Sequence, residues 1–149
     1  MPKLEIKNRN DQTLSIILEE TKDAKGLAFI MHGLGGFKEQ AQIQVMAEAF
    51  IERGYTVVRF DTTNTIGESD GDYADATVTN YYADLEDVVN WSASQTWYRE
   101  PFVLVGHSIG GMCVALYAQK FPAKVKALAP ISTVVSGKLS MKTEKATDE

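Results

Sequence analysis

The run Pro101-Phe102-Val103-Leu104-Val105 passes straight into Gly106-His107-Ser108-Ile109-Gly110, and no other stretch restricts the fold as tightly. A short, continuous apolar run reads as a strand buried on both faces. The two glycines around the serine admit a turn too tight for larger side chains. Met112, Cys113, Leu116, Tyr117 and Ala118 then trace the apolar side of a helix, which Pro122 ends. A buried strand turning at once into a helix is the step from which open α/β sheets are built.

The rest of the chain repeats that step. Residues 4–7 and 14–19 are β-prone runs around the polar cluster Asn8-Arg9-Asn10-Asp11-Gln12, which reads as an antiparallel hairpin. Leu27-Ala28-Phe29-Ile30-Met31 is a second buried strand, broken by His32-Gly33-Leu34-Gly35-Gly36. Ile43, Met46, Ala47, Phe50 and Ile51 then recur at helical spacing, and Arg53-Gly54 closes that helix with a cation and a glycine. Residues 55–60 form the next strand and end at Asp61, and a polar loop follows over residues 62–76. Tyr82, Leu85, Val88, Val89 and Ser92 mark one face of a second helix, with Asp84, Glu86 and Asp87 expected on its solvated face. Residues 125–131 read as a last strand. The expected class is α/β: a mostly parallel sheet with helices on both faces and an N-terminal antiparallel hairpin. The expected organisation is one core over residues 1–135 and a polar tail, a loop or linker, over residues 136–149.

Composition narrows the function. A net charge of −5, with scattered basic residues, argues against nucleic acid and anionic membranes as partners. No apolar run reaches the roughly 18 residues of a membrane span, and the N-terminus lacks the apolar segment of a signal peptide. One cysteine excludes an internal disulfide and fits a reducing cytoplasm. Two histidines and one cysteine show no zinc-ligand spacing, so neither a metal nor a cofactor is expected.

Ser108 is the candidate nucleophile. A G-x-S-x-G between strand and helix presents the serine Oγ at the top of the sheet, on a sharp, strained turn. The helix that follows aims its N-terminal amides at any anion forming beside the serine. The alternative is a turn serine that caps its helix. Acyl transfer needs two amide donors for the oxyanion, and Ile109 and Leu34 are the candidates, with Gly35 and Gly36 letting the loop bend inward. That glycine-rich loop lacks the third glycine of G-x-G-x-x-G and the G-K-[ST] of a phosphate loop. Asp61 reads as a turn or loop-ordering residue and Cys113 as a small core residue. His32 reads as a loop-holding group. His107, adjacent to the serine, is expected to pack under the turn on the opposite side.

Taken together, His32-Gly33-Leu34-Gly35-Gly36, Arg59-Phe60-Asp61 leading to Gly67-Glu68-Ser69-Asp70-Gly71, and Gly106-His107-Ser108-Ile109-Gly110-Gly111 resemble the N-terminal part of an α/β-hydrolase. The similarity is to the monoglyceride-lipase-like, serine-aminopeptidase-like and feruloyl-esterase-like group, across roughly residues 1–135. It implies a serine hydrolase acting on a small-molecule ester or related acyl substrate. It also implies that the acid and histidine of the triad follow the serine in chain order, whereas His32 and His107 precede it. Three expectations stand at this point. Either an acid–histidine pair beyond Glu149 activates Ser108, or the chain is a non-catalytic binding module, or a partner completes the domain; the 149 residues alone, lacking that pair, are expected to show low or no hydrolase activity. The resemblance makes the strand over residues 125–131 interior, so the C-terminal strands are missing and its open apolar edge predicts self-association.

Overall fold

A computed structural model describes residues 2–135; the polar tail expected over residues 136–149 lies outside the described residues. In chain order the elements are β1 (Lys3–Lys7), β2 (Thr13–Glu19), β3 (Gly26–Met31), α1 (Ala41–Glu52), β4 (Tyr55–Phe60), α2 (Val78–Ser92), β5 (Phe102–His107), α3 (Ile109–Lys120) and β6 (Val125–Ile131). One 3-10 turn, Tyr73–Asp75, interrupts the long loop and another, Pro122–Lys124, follows α3. The strands form a single mixed sheet in the order β1-β2-β4-β3-β5-β6. β1 and β2 pair antiparallel, as do β2 and β4, while β3 lies parallel to both β4 and β5, and β5 parallel to β6.

The continuous apolar run of β3 is explained by the two layers it touches. Successive side chains alternate between faces. Leu27, Phe29 and Met31 enter the core made with α2 and α3, beside Tyr81, Leu85, Val88, Cys113 and Tyr117. Ala28 and Ile30 enter the opposite core, with Ile43 and Ala47 of α1 and Val57, Val103 and Val105 of the neighbouring strands. Helices therefore cover both faces, as expected for parallel strands. α1 ends as the sequence predicts: Gly54 takes φ 82°, and its N–H donates to Ile51 O at 2.9 Å. α2 begins with a capping box, in which Thr77 Oγ1 accepts from Asn80 N and Asn80 Oδ1 accepts from Thr77 N.

The acidic side of α2 corrects the expectation of a solvated face. Asp84 is buried and accepts from Thr63 N and Thr63 Oγ1, both at 2.7 Å, and from Asn8 Nδ2 at 3.0 Å. Glu86 takes Arg9, Lys120 and the Tyr82 hydroxyl, and Asp87 takes Arg9. These carboxylates bind the β1–β2 turn and the long loop to the helix. Charge alone marks a side chain that must find polar partners; it does not say whether water or protein supplies them.

β6 differs from the inner strands. Leu128 and Ile131 are exposed, and among the described residues no strand pairs with its outer edge. Ile131 O accepts from Ser108 N, facing β5, so the adjacent Pro130 places its missing donor on the outer side.

Candidate active site

The register of three parallel strands assembles the site. Met31 lies opposite Gly106 on one side and Phe60 on the other. The residues just past each strand end must therefore meet: Gly33 beside Ser108, and Thr62 beside His32. A Cβ placed on Gly33 would sit 2.9 Å from Ser108 Cβ. The sequence motifs thus converge at the C-terminal edge of the sheet, where open α/β sheets hold their ligands.

Ser108 has φ 56° and ψ −121°, a conformation that costs a non-glycine residue of order 1–3 kcal/mol. Its backbone is held from both directions. Its N–H donates to Ile131 O at 2.9 Å, and its C=O accepts from Gly111 N at 2.9 Å. The side chain makes no capping hydrogen bond to α3, which removes the reading of Ser108 as a helix cap. The tightness of the turn explains its glycines. A Cβ on Gly106 would lie 2.3 Å from Gly110 O, and one on Gly110 would lie 2.4 Å from His32 O. These are backbone atoms with no room to yield.

Two clefts flank this point, and Leu34 borders both. One, of about 100 Å³, is polar and is lined by Gln40, Gln42, His107 and Ser108. The other, of about 140 Å³, is apolar and is lined by Ala76, Val78, Tyr81 and Ile109. Among the described residues neither the Leu34 nor the Ile109 N–H is given to an acceptor. His107 is half-buried at the end of β5 and lines the polar cleft, rather than packing beneath the turn. No hydrogen bond joins the Ser108 hydroxyl to either histidine among the described residues.

His32 is fully buried and committed elsewhere. Its Nε2 accepts from Thr62 N at 3.1 Å, so the proton sits on Nδ1, 2.7 Å from Gly33 O. Burial is the main cause that lowers its pKa and keeps it neutral. The unfolded chain binds a proton here below about pH 6.5, whereas the folded protein does not. The contribution of His32 is thus present above pH 6.5 and lost as the pH falls below it. We expect the melting temperature to drop between pH 7 and pH 5, and His32→Gln to flatten that slope; an equally steep slope in the variant would exclude His32 as its source.

Asp61 is also fully buried. Oδ1 accepts from Lys38 N at 2.6 Å, and Oδ2 accepts from Lys38 Nζ and Glu68 N, both at 2.8 Å. Its role is to order the loops, as expected. Lys38, only 1% exposed, is the residue that sequence reasoning missed. A lysine after a glycine-rich loop looks solvated, and only the polar run that follows Asp61 hinted at buried partners. Arg59 Nη1 donates to Lys38 O at 2.8 Å, and Thr65 Oγ1 donates to Gly36 O. The loop carrying Leu34 is thus fastened from beneath at residues 33, 36 and 38. Cys113 is buried in the core, which pushes its thiol up to about 12, and it takes no part in the site. No cluster able to hold a metal ion occurs among the described residues.

A mixed sheet in this strand order, with a strained serine between β5 and α3, defines an α/β-hydrolase. More narrowly, the chain belongs to the serine aminopeptidase S33 family, whose family model matches residues 22–147. It is similar to the mitochondrial palmitoyl-protein thioesterase ABHD10 of Mus musculus, with 36% identity over 84 residues, covering 56% of this chain and 26% of that protein. Among solved structures it resembles Est1E from Butyrivibrio proteoclasticus with ferulic acid bound, at 28% identity and TM-score 0.80, over 87% of this chain and 52% of that one. Alpha/beta hydrolase domain-containing protein 10 from mouse shares the fold at TM-score 0.77 and 24% identity, over 99% of this chain and 58% of that one. The chain therefore spans about half the length of these solved structures, and its alignment about a quarter of the curated relative. No described helix is long and apolar enough to cross a membrane.

Proposed function

We propose that the protein is a serine hydrolase of carboxylic esters or thioesters, with Ser108 as nucleophile and the Leu34 and Ile109 amides as the oxyanion hole. One observation carries this reading: Ser108 is held in a strained turn with its hydroxyl not spent on capping α3. Oγ attacks the acyl carbonyl carbon while a general base takes its proton. The carbonyl oxygen becomes an oxyanion facing the two amides. The bond to the leaving alcohol or thiol then breaks, that group receives the proton, and water hydrolyses the acyl-serine. His32 does not serve as the base, because Thr62 N occupies its acceptor nitrogen. We place the base and its acid partner outside residues 2–135.

The family match and the names of the relatives, a thioesterase and an esterase-like protein with ferulic acid bound, support an acyl substrate. A second reading, in which further strands from the same polypeptide or a second copy cover β6, is favoured by the exposure of Leu128 and Ile131. Buried Cys113 fits a reducing compartment such as the cytoplasm, although the mouse relative is named as mitochondrial.

A fluorophosphonate probe tests the nucleophile. We expect a single phosphonylated peptide containing Ser108, located by mass spectrometry in the intact protein. Labelling at another serine, or unchanged labelling in Ser108→Ala, would sink the assignment.

A further inference from the structure

The outermost strand, β1, reaches the Leu34 loop through charge. Lys3 Nζ stands 2.5 Å from Glu68 Oε1 and 3.1 Å from Glu39 Oε1. The same two oxygens stand 3.4 and 3.3 Å from Nζ of Lys38, which lies 2.8 Å from Asp61 Oδ2. Two lysines therefore share two carboxylates, and a third carboxylate serves Lys38. Lys3, Glu39 and Glu68 are partly exposed, whereas Lys38 and Asp61 are buried. Four stretches distant in sequence meet here: the start of β1, residues 38–39 just past the Leu34 loop, the end of β4, and the long loop at Glu68.

The distances rank the pairs. Lys3 lies closer than Lys38 to both shared carboxylates, and attraction grows as separation shrinks. Glu68 is accordingly held ionised down to about 2, chiefly by its hydrogen bond to Lys3 and next by the charge of Lys38. With Glu39 and Glu68 answered from the water side, the Lys38 ammonium stays on Asp61. Without Lys3, three carboxylates compete for one ammonium, and two of them pull it toward the surface. Lysine carries a compact charge on a flexible four-carbon stem, so it follows that pull. The main chain of Lys38 is four residues from Leu34 and moves with it.

Resting on the proposed oxyanion role of Leu34, we propose that Lys3 is a positioning residue, which fixes the Leu34 loop from the sheet edge by keeping Glu39 and Glu68 off the Lys38–Asp61 pair. Lys3 acts through Lys38 alone and touches neither Ser108 nor the clefts beside it. An oxyanion forms only as the reaction proceeds, so a displaced donor lowers kcat and leaves KM nearly unchanged.

Three variants of the intact protein test this. Lys3→Met removes the ammonium and keeps the length, and Lys3→Arg keeps the charge. Lys7→Met removes a charge from the same face of β1, where Lys7 Nζ reaches Thr13 Oγ1 and Asp11 O. We expect Lys3→Met to lower kcat for p-nitrophenyl butyrate about threefold or more at unchanged KM, with Lys3→Arg and Lys7→Met close to the unmodified protein. Proton exchange at the Lys38 ammonium, read by NMR, should quicken severalfold in Lys3→Met only. Unchanged kcat in Lys3→Met overturns the positioning role, and so does a fall in kcat with Lys38 exchange unchanged. An equal fall in Lys7→Met assigns the effect to a weakened edge strand and overturns it too. Quickened Lys38 exchange together with ester turnover that survives Ser108→Ala upholds the link from Lys3 to Lys38 and defeats the nucleophile assignment instead.

Discussion

With the general base present and Ser108 the nucleophile as proposed, we expect Ser108→Ala to lower kcat/KM for p-nitrophenyl butyrate by about 10⁴- to 10⁶-fold, the scale on which removing a serine nucleophile acts. On that proposal the residual rate comes from the Leu34 and Ile109 amides and from binding. Ser108→Gly loses as much activity but raises stability. The serine sits at φ 56°, where glycine is at ease, so relief of strain is worth about 1 kcal/mol. A gain in melting temperature together with a roughly 10⁴- to 10⁶-fold loss of turnover is the signature of a residue held for chemistry at the expense of the fold. Parallel ester kinetics and thermal melts of the two variants decide the matter. Turnover that persists in Ser108→Ala, or a Ser108→Gly variant that melts lower than the unmodified protein, contradicts it.

Local sequence carried most of this fold because each inner strand declares itself. β3 and β5 are apolar without a break since helices cover both faces, and the motifs that follow them lie at the same sheet edge by register. The turn at Ser108 was equally legible, since its glycines answer to a short-range clash. What was not legible depends on partners distant in sequence. Asp84 meets Asn8 across 76 residues, and Lys38 meets Asp61 across 23. Nothing in the neighbourhood of either residue says that its charge is answered inside the protein. The same holds for Tyr81, which reads as an ordinary core aromatic until its hydroxyl is traced and found without a partner.

These distant pairings share a purpose. Leu34 is half exposed on a loop, and loops are mobile unless they are tied down. Here the ties run beneath it: His32 to Thr62, Thr65 to Gly36, Arg59 to Lys38, and Asp61 to Lys38 twice. An oxyanion site works through donors fixed before charge develops, so on the proposed role of Leu34 stiffness in this loop bears on rate. The polar network is buried where aliphatic packing would have been simpler, because only hydrogen bonds can hold backbone groups at chosen positions.

Asp61→Ala should therefore cost about 3 kcal/mol of stability. It strands the Lys38 ammonium, the Lys38 N–H and the Glu68 N–H, and a buried pair broken by removing one partner typically loses about 3–5 kcal/mol. The lower end applies because Glu39 and Glu68 stand 3.3 and 3.4 Å from Lys38 Nζ and can answer part of its charge from the surface. With a urea dependence of about 2 kcal/mol/M, the denaturation midpoint falls by roughly 1.5 M. The double variant Asp61→Ala/Lys38→Met removes the stranded charge and should recover part of the loss, since an apolar side chain of similar length sits more easily in the emptied space. If Lys38 instead reaches water once Asp61 is gone, the double variant will be no more stable than the single one. In that case the pair is a surface ion pair in energetic terms, and the stiffness of the Leu34 loop must come from the His32, Arg59 and Thr65 ties.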